Sequence, residues 1–268
     1  MKLLGNFYRS ILRNNKIRKF VKPLIYNYNI INDYQEKALF IKEYKKLYGL
    51  TVNDGTFRGL KFPFDTVIGS AFIPKLVGTY EDELHHIFDD IKRTRVYKHL
   101  IDVGAAEGFY AVGLSKYLEI DDVIAFETRE ESRKLIEELA LYNDVQNVRI
   151  FGQCGMKNFN EVTKVKYGLI FCDCEGCELI LIDTEKFNSL LYHDIIVELH
   201  DYSESGDTIM EKFRQRFDKT HEITFINCRS TKITKNSYIK ELLLNKEYLL
   251  SEGRKYSIGW AFIKSKFF

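Results

Sequence analysis

The strongest chemical signal in the chain lies between residues 102 and 127. In the stretch HLIDVGAAEGFYAVGL, residues 99 to 114, an apolar run ends in Asp102. Gly104 and Gly108 then bracket Ala105, Ala106 and Glu107. Such a turn lets the backbone approach a ligand where a strand feeds a helix. The spacing discriminates between ligands. A dinucleotide turn places glycines at its first, third and sixth positions and cradles a pyrophosphate on the helix N-terminus. Here the glycines are four apart, Ala106 takes the middle position, and Asp102 precedes them. An acid there repels phosphate and attracts an ammonium group, directly or through water. Glu127 follows 25 residues after Asp102, where an acid can accept hydrogen bonds from both hydroxyls of a ribose. The expected ligand is a nucleoside with an amino-acid-like tail, its amine near Asp102 and its ribose near Glu127.

Those residues must be held by a regular frame, and from residue 98 the sequence supplies one. Apolar strands KHLIDVG, VIAFE, NVRIFG, YGLIFCD and DIIVELH alternate with helical patterns such as YAVGLSKYL and REESRKLIEELALYN. Two further strands, EITFINC and YSIGWAFIKS, flank a polar helical excursion around IKELLLNKEYLLSEG. Alternation of this kind implies a mostly parallel sheet covered on both faces: a Rossmann-like, doubly wound α/β fold of seven strands. Thr128 is expected to cap the helix after strand two, with Glu131 at the capping-box position. Thr79 is expected to cap a helix over YEDELHHIFDDIKR. His85 and His86 on that helix read as a solvated face.

The chain has 268 residues, enough to bury a full core, and no stretch approaches the roughly 18 apolar residues of a membrane span. Its net charge of +2 hides an asymmetry: residues 1 to 50 hold 11 Lys and Arg against 3 Asp and Glu, a net of +8. Three segments are expected: a basic helical extension over 1–50, a strand-rich bridge over 51–78 broken by Gly55, Gly59, Pro63, Gly69 and Pro74, and a ligand-binding domain over 79–268. Leu3, Leu4, Phe7, Tyr8, Ile11 and Leu12 recur at helical spacing beside Lys2, Arg9 and Arg13. That stripe suits packing on the main domain or in a homodimer, and residues 1–30 also suit peripheral contact with an anionic membrane. No secretory signal is read. The odd count of five cysteines, three of them crowded at 172, 174 and 177 where pairing is not expected, suits reduced thiols and a cytoplasmic protein.

The turn from Asp102 to Gly108 followed by an acid after strand two resembles the class I S-adenosylmethionine-dependent methyltransferases. A second cluster narrows the resemblance. Asp173, Glu175, Gly176 and Glu178 in CDCEGCE, with Glu198, Leu199 and His200 in VELH, resemble the Asp-x-Glu-Gly-x-Glu and Glu-Leu-His patterns of the FkbM-type branch. IAFET and GTYEDEL also fit, so the resemblance spans about residues 75 to 202. Thr128 stands where many members carry Pro. The resemblance implies S-adenosylmethionine as cofactor and methylation of a hydroxyl on a saccharide, glycolipid or other small secondary metabolite.

Methyl transfer from sulfonium to oxygen is an in-line displacement, so the protein chiefly aligns the partners, and a base helps a neutral hydroxyl attack. His200 at the end of strand five is the candidate base, or it orders neighbouring loops. Asp173 and Glu175 are placed to take the acceptor's proton, to bond a sugar hydroxyl, or, for Asp173, to bind the cofactor's amine. Gln153 and Cys154 after strand three suit the adenine edge, and Tyr80 and Glu81 the methionine end. No metal is assigned: C-x-C-x-x-C lacks a fourth nearby ligand. A divalent cation held by Asp173, Glu175, His200 or Asp201 would nonetheless lower a hydroxyl's pKa. A nucleic-acid methyltransferase is disfavoured because strand four lacks an Asn-Pro-Pro-Tyr type of sequence, and a non-catalytic scaffold because the cofactor positions are intact.

Overall fold

The computed structural model describes residues 33–67, 70–200, 208–229, 232–253 and 257–268. The amphipathic stripe of residues 3 to 12, Gly69 and Asp201 lie outside them. The chain divides into two compact units, 1–47 and 48–268. The described part of the first is helical, as the pattern after residue 33 predicts.

The second unit carries seven strands: β1 Leu100–Val103, β2 Val123–Phe126, β3 Val148–Phe151, β4 Gly168–Cys172, β5 His193–His200, β6 His221–Asn227 and β7 Ser257–Ser265. Their order is β3-β2-β1-β4-β5-β7-β6. The first five pair in parallel, whereas β7 runs antiparallel to both β5 and β6. The expected Rossmann-like, doubly wound, mostly parallel sheet is therefore present. Strand order reverses beside β1, which has β2 on one side and β4 on the other, and in open α/β sheets that crevice takes the ligand.

Both faces of β1, β2, β4 and β5 are buried, so these strands read as continuous apolar runs, whereas β3 and β6 carry exposed residues in alternation. Ile101, Val103, Ile170, Cys172, Ile195, Val197 and Leu199 share one core with Phe213 and Phe217. Because side chains alternate along a strand, Asp102, Phe171, Glu198 and His200 fall on the other face. Aromatic rings fill much of that side: Phe171 stacks on Tyr110 with centroids 4.0 Å apart and meets Trp260 at 5.2 Å. The helix Glu130–Tyr142 buries Ser132, Ile136, Leu139 and Ala140, a helical stripe that packs its polar sides outward.

Three local expectations are corrected. The bridge over 51–78 is not strand-rich: among its described residues the extended pairing is a single antiparallel bridge, Thr51 to Lys61, and Phe72–Val77 forms a helix. Pro74 lies in that helix's first turn, where its missing N–H costs nothing, and Gly78 ends it at φ 84°. The next helix starts at His85, not beside Thr79. Thr79 and Tyr80 donate their amides back to the Pro74 carbonyl, so the segment still belongs to the previous helix end, and the Thr79 hydroxyl is buried without a hydrogen-bond partner. Thr128 does not cap the helix after β2 either. The cap position is Arg129, and the Glu127 carboxylate takes the Arg129 amide at 2.8 Å. The Thr128 hydroxyl itself donates to that carboxylate at 3.4 Å, and no side chain caps the helix.

Candidate functional site

A cavity of about 430 Å³ opens over the carboxyl ends of β1, β2 and β4. Its lining includes Tyr80, Asp102, Gly104, Ala105, Ala106, Glu127, Thr128, Gln153, Cys154, Asp173 and Glu175. The structure thus brings most of the sequence-derived site residues to one surface.

The turn between β1 and the helix Phe109–Leu118 forms its floor. Gly104 has φ 91°, and a Cβ there would lie 1.7 Å from the Asp173 carbonyl oxygen, so only glycine lets the turn press against the end of β4. Ala106 is also left-handed, at φ 48°. Its amide is held by Glu127 Oε2 at 3.0 Å, while Glu127 Oε1 takes the Arg129 amide. Glu127 thereby fixes the turn and its own orientation. Oε1 also lies within reach of the Thr128 hydroxyl and Arg129 Nε, at 3.4 and 3.5 Å, so Oε2 is the oxygen with a further lone pair for a hydroxyl donor.

Asp102 is 1% exposed, and its Oδ2 has no hydrogen-bond partner. Burial pushes its carboxyl up to about 8, with Glu127 and Glu107 adding to the rise; a bond from the Ala111 amide and the Lys75 charge offset this only in part. A buried carboxyl with an orphan oxygen is a socket for a cation.

Four site residues stand behind the lining instead of in it. Glu107 is fully buried in an ion pair with Lys75. Gly108, at φ 92°, packs on Ile136, where a Cβ would approach to 3.1 Å. Glu81 is buried, accepts from the Tyr110 hydroxyl, and gives its amide to Glu252 at 2.8 Å. His200 is buried beneath Asp173 and Glu175. Its Nδ1 lies 2.9 Å from Glu178 Oε1, and its Nε2 lies 3.3 Å from Glu198, 3.4 Å from Glu175 and 4.0 Å from Asp173. Burial draws the imidazole pKa down, but the Glu178 bond and the charges of Glu198 and Glu175 outweigh it, so the ring is more basic than an ordinary histidine. Asp173 is raised well above the usual carboxylate range, first by burial and then by Glu198.

Sequence reasoning missed Ser70, Lys75, Phe109, Tyr110 and Phe171 in the lining. Lys75 had a readable signal: it is the one charge inside FIPKLV. Its ammonium bonds Ser70 at 2.9 Å and sits 4.5 Å from the Tyr80 ring centre, which fixes Tyr80 over the cavity. The cysteines are also corrected. Cys174 and Cys177 form a disulfide, while Cys154, Cys172 and Cys228 are free thiols. The strand ends at Cys172, and left-handed Glu175 and Gly176, at φ 54° and 116°, fold the chain back so that the Cα atoms of 174 and 177 come within 5.6 Å. His85 turns toward Gly55 while His86 is exposed, so the two do not converge on one point.

No family model and no curated protein matches the chain. Solved structures do. A putative O-methyltransferase from Klebsiella pneumoniae is 14% identical, with 67% of this chain and 78% of that one covered, at a TM-score of 0.44. An O-methyltransferase from Bacillus cereus, solved in complex with SAH, is 12% identical over 68% and 79%, at 0.45. An rRNA methylase from Streptococcus thermophilus is 11% identical over 69% and 97%, also at 0.45. At such identities and scores these likenesses do not decide an activity or an acceptor. The seven-stranded sheet with its reversed β7 is a class I methyltransferase-like fold, and function has to be argued from the site. Among the described residues no helix is long and apolar enough to cross a membrane.

Proposed function

We propose that the chain is an S-adenosylmethionine-dependent O-methyltransferase of the FkbM type, acting on a hydroxyl of a saccharide, glycolipid or secondary metabolite. One observation carries the reading: buried Asp102, whose Oδ2 has no hydrogen-bond partner, borders a cavity that Glu127, Asp173 and Glu175 also line. That donor set fits the cofactor, which supplies an electrophilic methyl group on a sulfonium. Asp102 receives the amine of the amino-acid tail, and Glu127 the ribose hydroxyls. Gln153 and Cys154 border the adenine edge, and Tyr80 covers the tail. The acceptor hydroxyl approaches Asp173 and Glu175, and its proton passes to the cluster that these acids form with His200. A base within hydrogen-bond reach contributes about 10²–10⁴ in rate for such an acceptor. The excess of carboxylates suits a reaction whose donor is cationic.

Calorimetric titration with S-adenosylmethionine, S-adenosylhomocysteine and NAD in parallel tests this reading. The first two should bind and NAD should not. Binding of NAD alone, or of none of the three, overturns it.

A further inference from the structure

We propose that His200 Nε2, Asp173 and Glu175 hold one divalent cation of the manganese or magnesium kind, with Glu178 orienting the imidazole from behind and Glu198 beside it. The argument begins with distances. Ligand atoms about 2.1 Å from an octahedral ion lie about 3.0 Å apart when adjacent and about 4.2 Å apart when opposite. Around His200 Nε2 the three carboxylates stand at 3.3, 3.4 and 4.0 Å, within that span. Donor atoms of Asp173, Glu175 and His200 all lie within 4.8 Å of one another.

A second observation points the same way. Asp173 Oδ1 is buried without a hydrogen-bond partner, although it faces the imidazole. A buried carboxylate oxygen left without a donor is a place for a cation. Glu178 stands 2.9 Å from Nδ1, so Nε2 is the ring nitrogen turned toward the three acids, and an ion bound there would replace the proton that they favour on it. Histidine ligands of metals are held in this way by an outer carboxylate.

The donor types select the ion. Two carboxylates and one imidazole, with the Glu198 carboxylate beside them, favour manganese or magnesium over copper, whereas the neighbouring trio Cys172, Cys174 and Cys177 would attract a soft metal when reduced. Asp173 and Glu175 line the cavity, so the ion would border the place where the acceptor hydroxyl approaches. An oxygen bound there loses its proton at lower pH. That catalytic consequence rests on the methyltransferase reading, but the ion itself does not.

The test is Mn²⁺ binding to the full, metal-stripped chain without cofactor, followed by calorimetry and electron paramagnetic resonance. One Mn²⁺ per chain is expected, with nitrogen coupling from the His200 imidazole. Glu175→Gln and Glu198→Gln should each weaken it at least tenfold, and Glu178→Gln by 10- to 100-fold. Retained circular dichroism and S-adenosylhomocysteine binding establish that the variants are folded. Absence of saturable Mn²⁺ binding overturns the proposal, as does binding that survives both Glu175→Gln and Glu198→Gln. If Mn²⁺ fails while S-adenosylhomocysteine binds, the ion falls and the methyltransferase reading stands. If Mn²⁺ binds and the cofactor does not, the reverse holds.

Discussion

Cofactor binding should expel a proton from Asp102. In the free protein burial holds this carboxyl near 8, against 3.8 for an ordinary one. At pH 7 it is then roughly nine-tenths protonated, and an ammonium group docked at its orphan Oδ2 would ionise it. Calorimetric titration in buffers of different ionisation enthalpy should therefore show about 0.9 proton released per cofactor bound at pH 7, and about half a proton at pH 8. The same shift bears on stability. A carboxyl whose folded pKa lies above its unfolded value favours the folded state fully only below about pH 4, and that advantage is lost as pH rises toward 8. Each unit costs about 1.4 kcal/mol, so by pH 7 the penalty is about 4 kcal/mol. Asp102→Asn removes the titration. In denaturant unfolding without cofactor the variant should gain on the wild type steadily from pH 5 to pH 8, while losing S-adenosylhomocysteine affinity. A binding heat independent of buffer at pH 7, or stability curves that run parallel across that range, would refute the assignment of Asp102 as a buried, protonated socket.

Gly104→Ala should cost more than about 2 kcal/mol in urea unfolding, because the new Cβ meets the Asp173 carbonyl and φ is left-handed; a neutral substitution would mean that the turn and β4 are not in contact. His200→Ala should slow methyl transfer by about 10²–10⁴ while changing cofactor affinity far less, and an unchanged turnover number would remove His200 from the chemistry. Thiol titration of the denatured, unreduced chain should count three free cysteines and, after reduction, five; an initial count of five would contradict the Cys174–Cys177 bond. Deletion of residues 1 to 30 should alter the oligomeric state or binding to anionic vesicles in sedimentation, and no change in either would leave that basic segment without the contact expected of it.

The central strands were legible because both their faces are covered. Strands such as LIDV and GLIFC are uniformly buried, so they stand out as apolar runs between amphipathic helices. Asp102 and Glu127 were legible for the same reason: an acid at the end of an apolar run has few structural uses. What escaped depends on contacts between distant segments. Lys75 is explained only by Glu107, 32 residues on, and the burial of His200 only by the loop after β4. The Cys174–Cys177 bond is hidden in the sequence because an extended strand would hold the two apart, whereas the strand ends at Cys172 and two left-handed residues in succession reverse the chain. Thr128 falls one residue before the cap position, where the Glu127 carboxylate takes the Arg129 amide.

The placement of β7 has a consequence for synthesis. This last strand lies between β5 and β6 and bonds to both, so β6 has no partner in the sheet until residues 257 to 265 have been made. Translation proceeds from the other end at about 5–20 residues per second. Until then β5, buried along its whole length in the finished fold, has an open apolar edge. Unpaired edges of that kind recruit other chains. A chain ending before residue 257 would carry every residue of the cavity lining and still be prone to join its neighbours edge to edge.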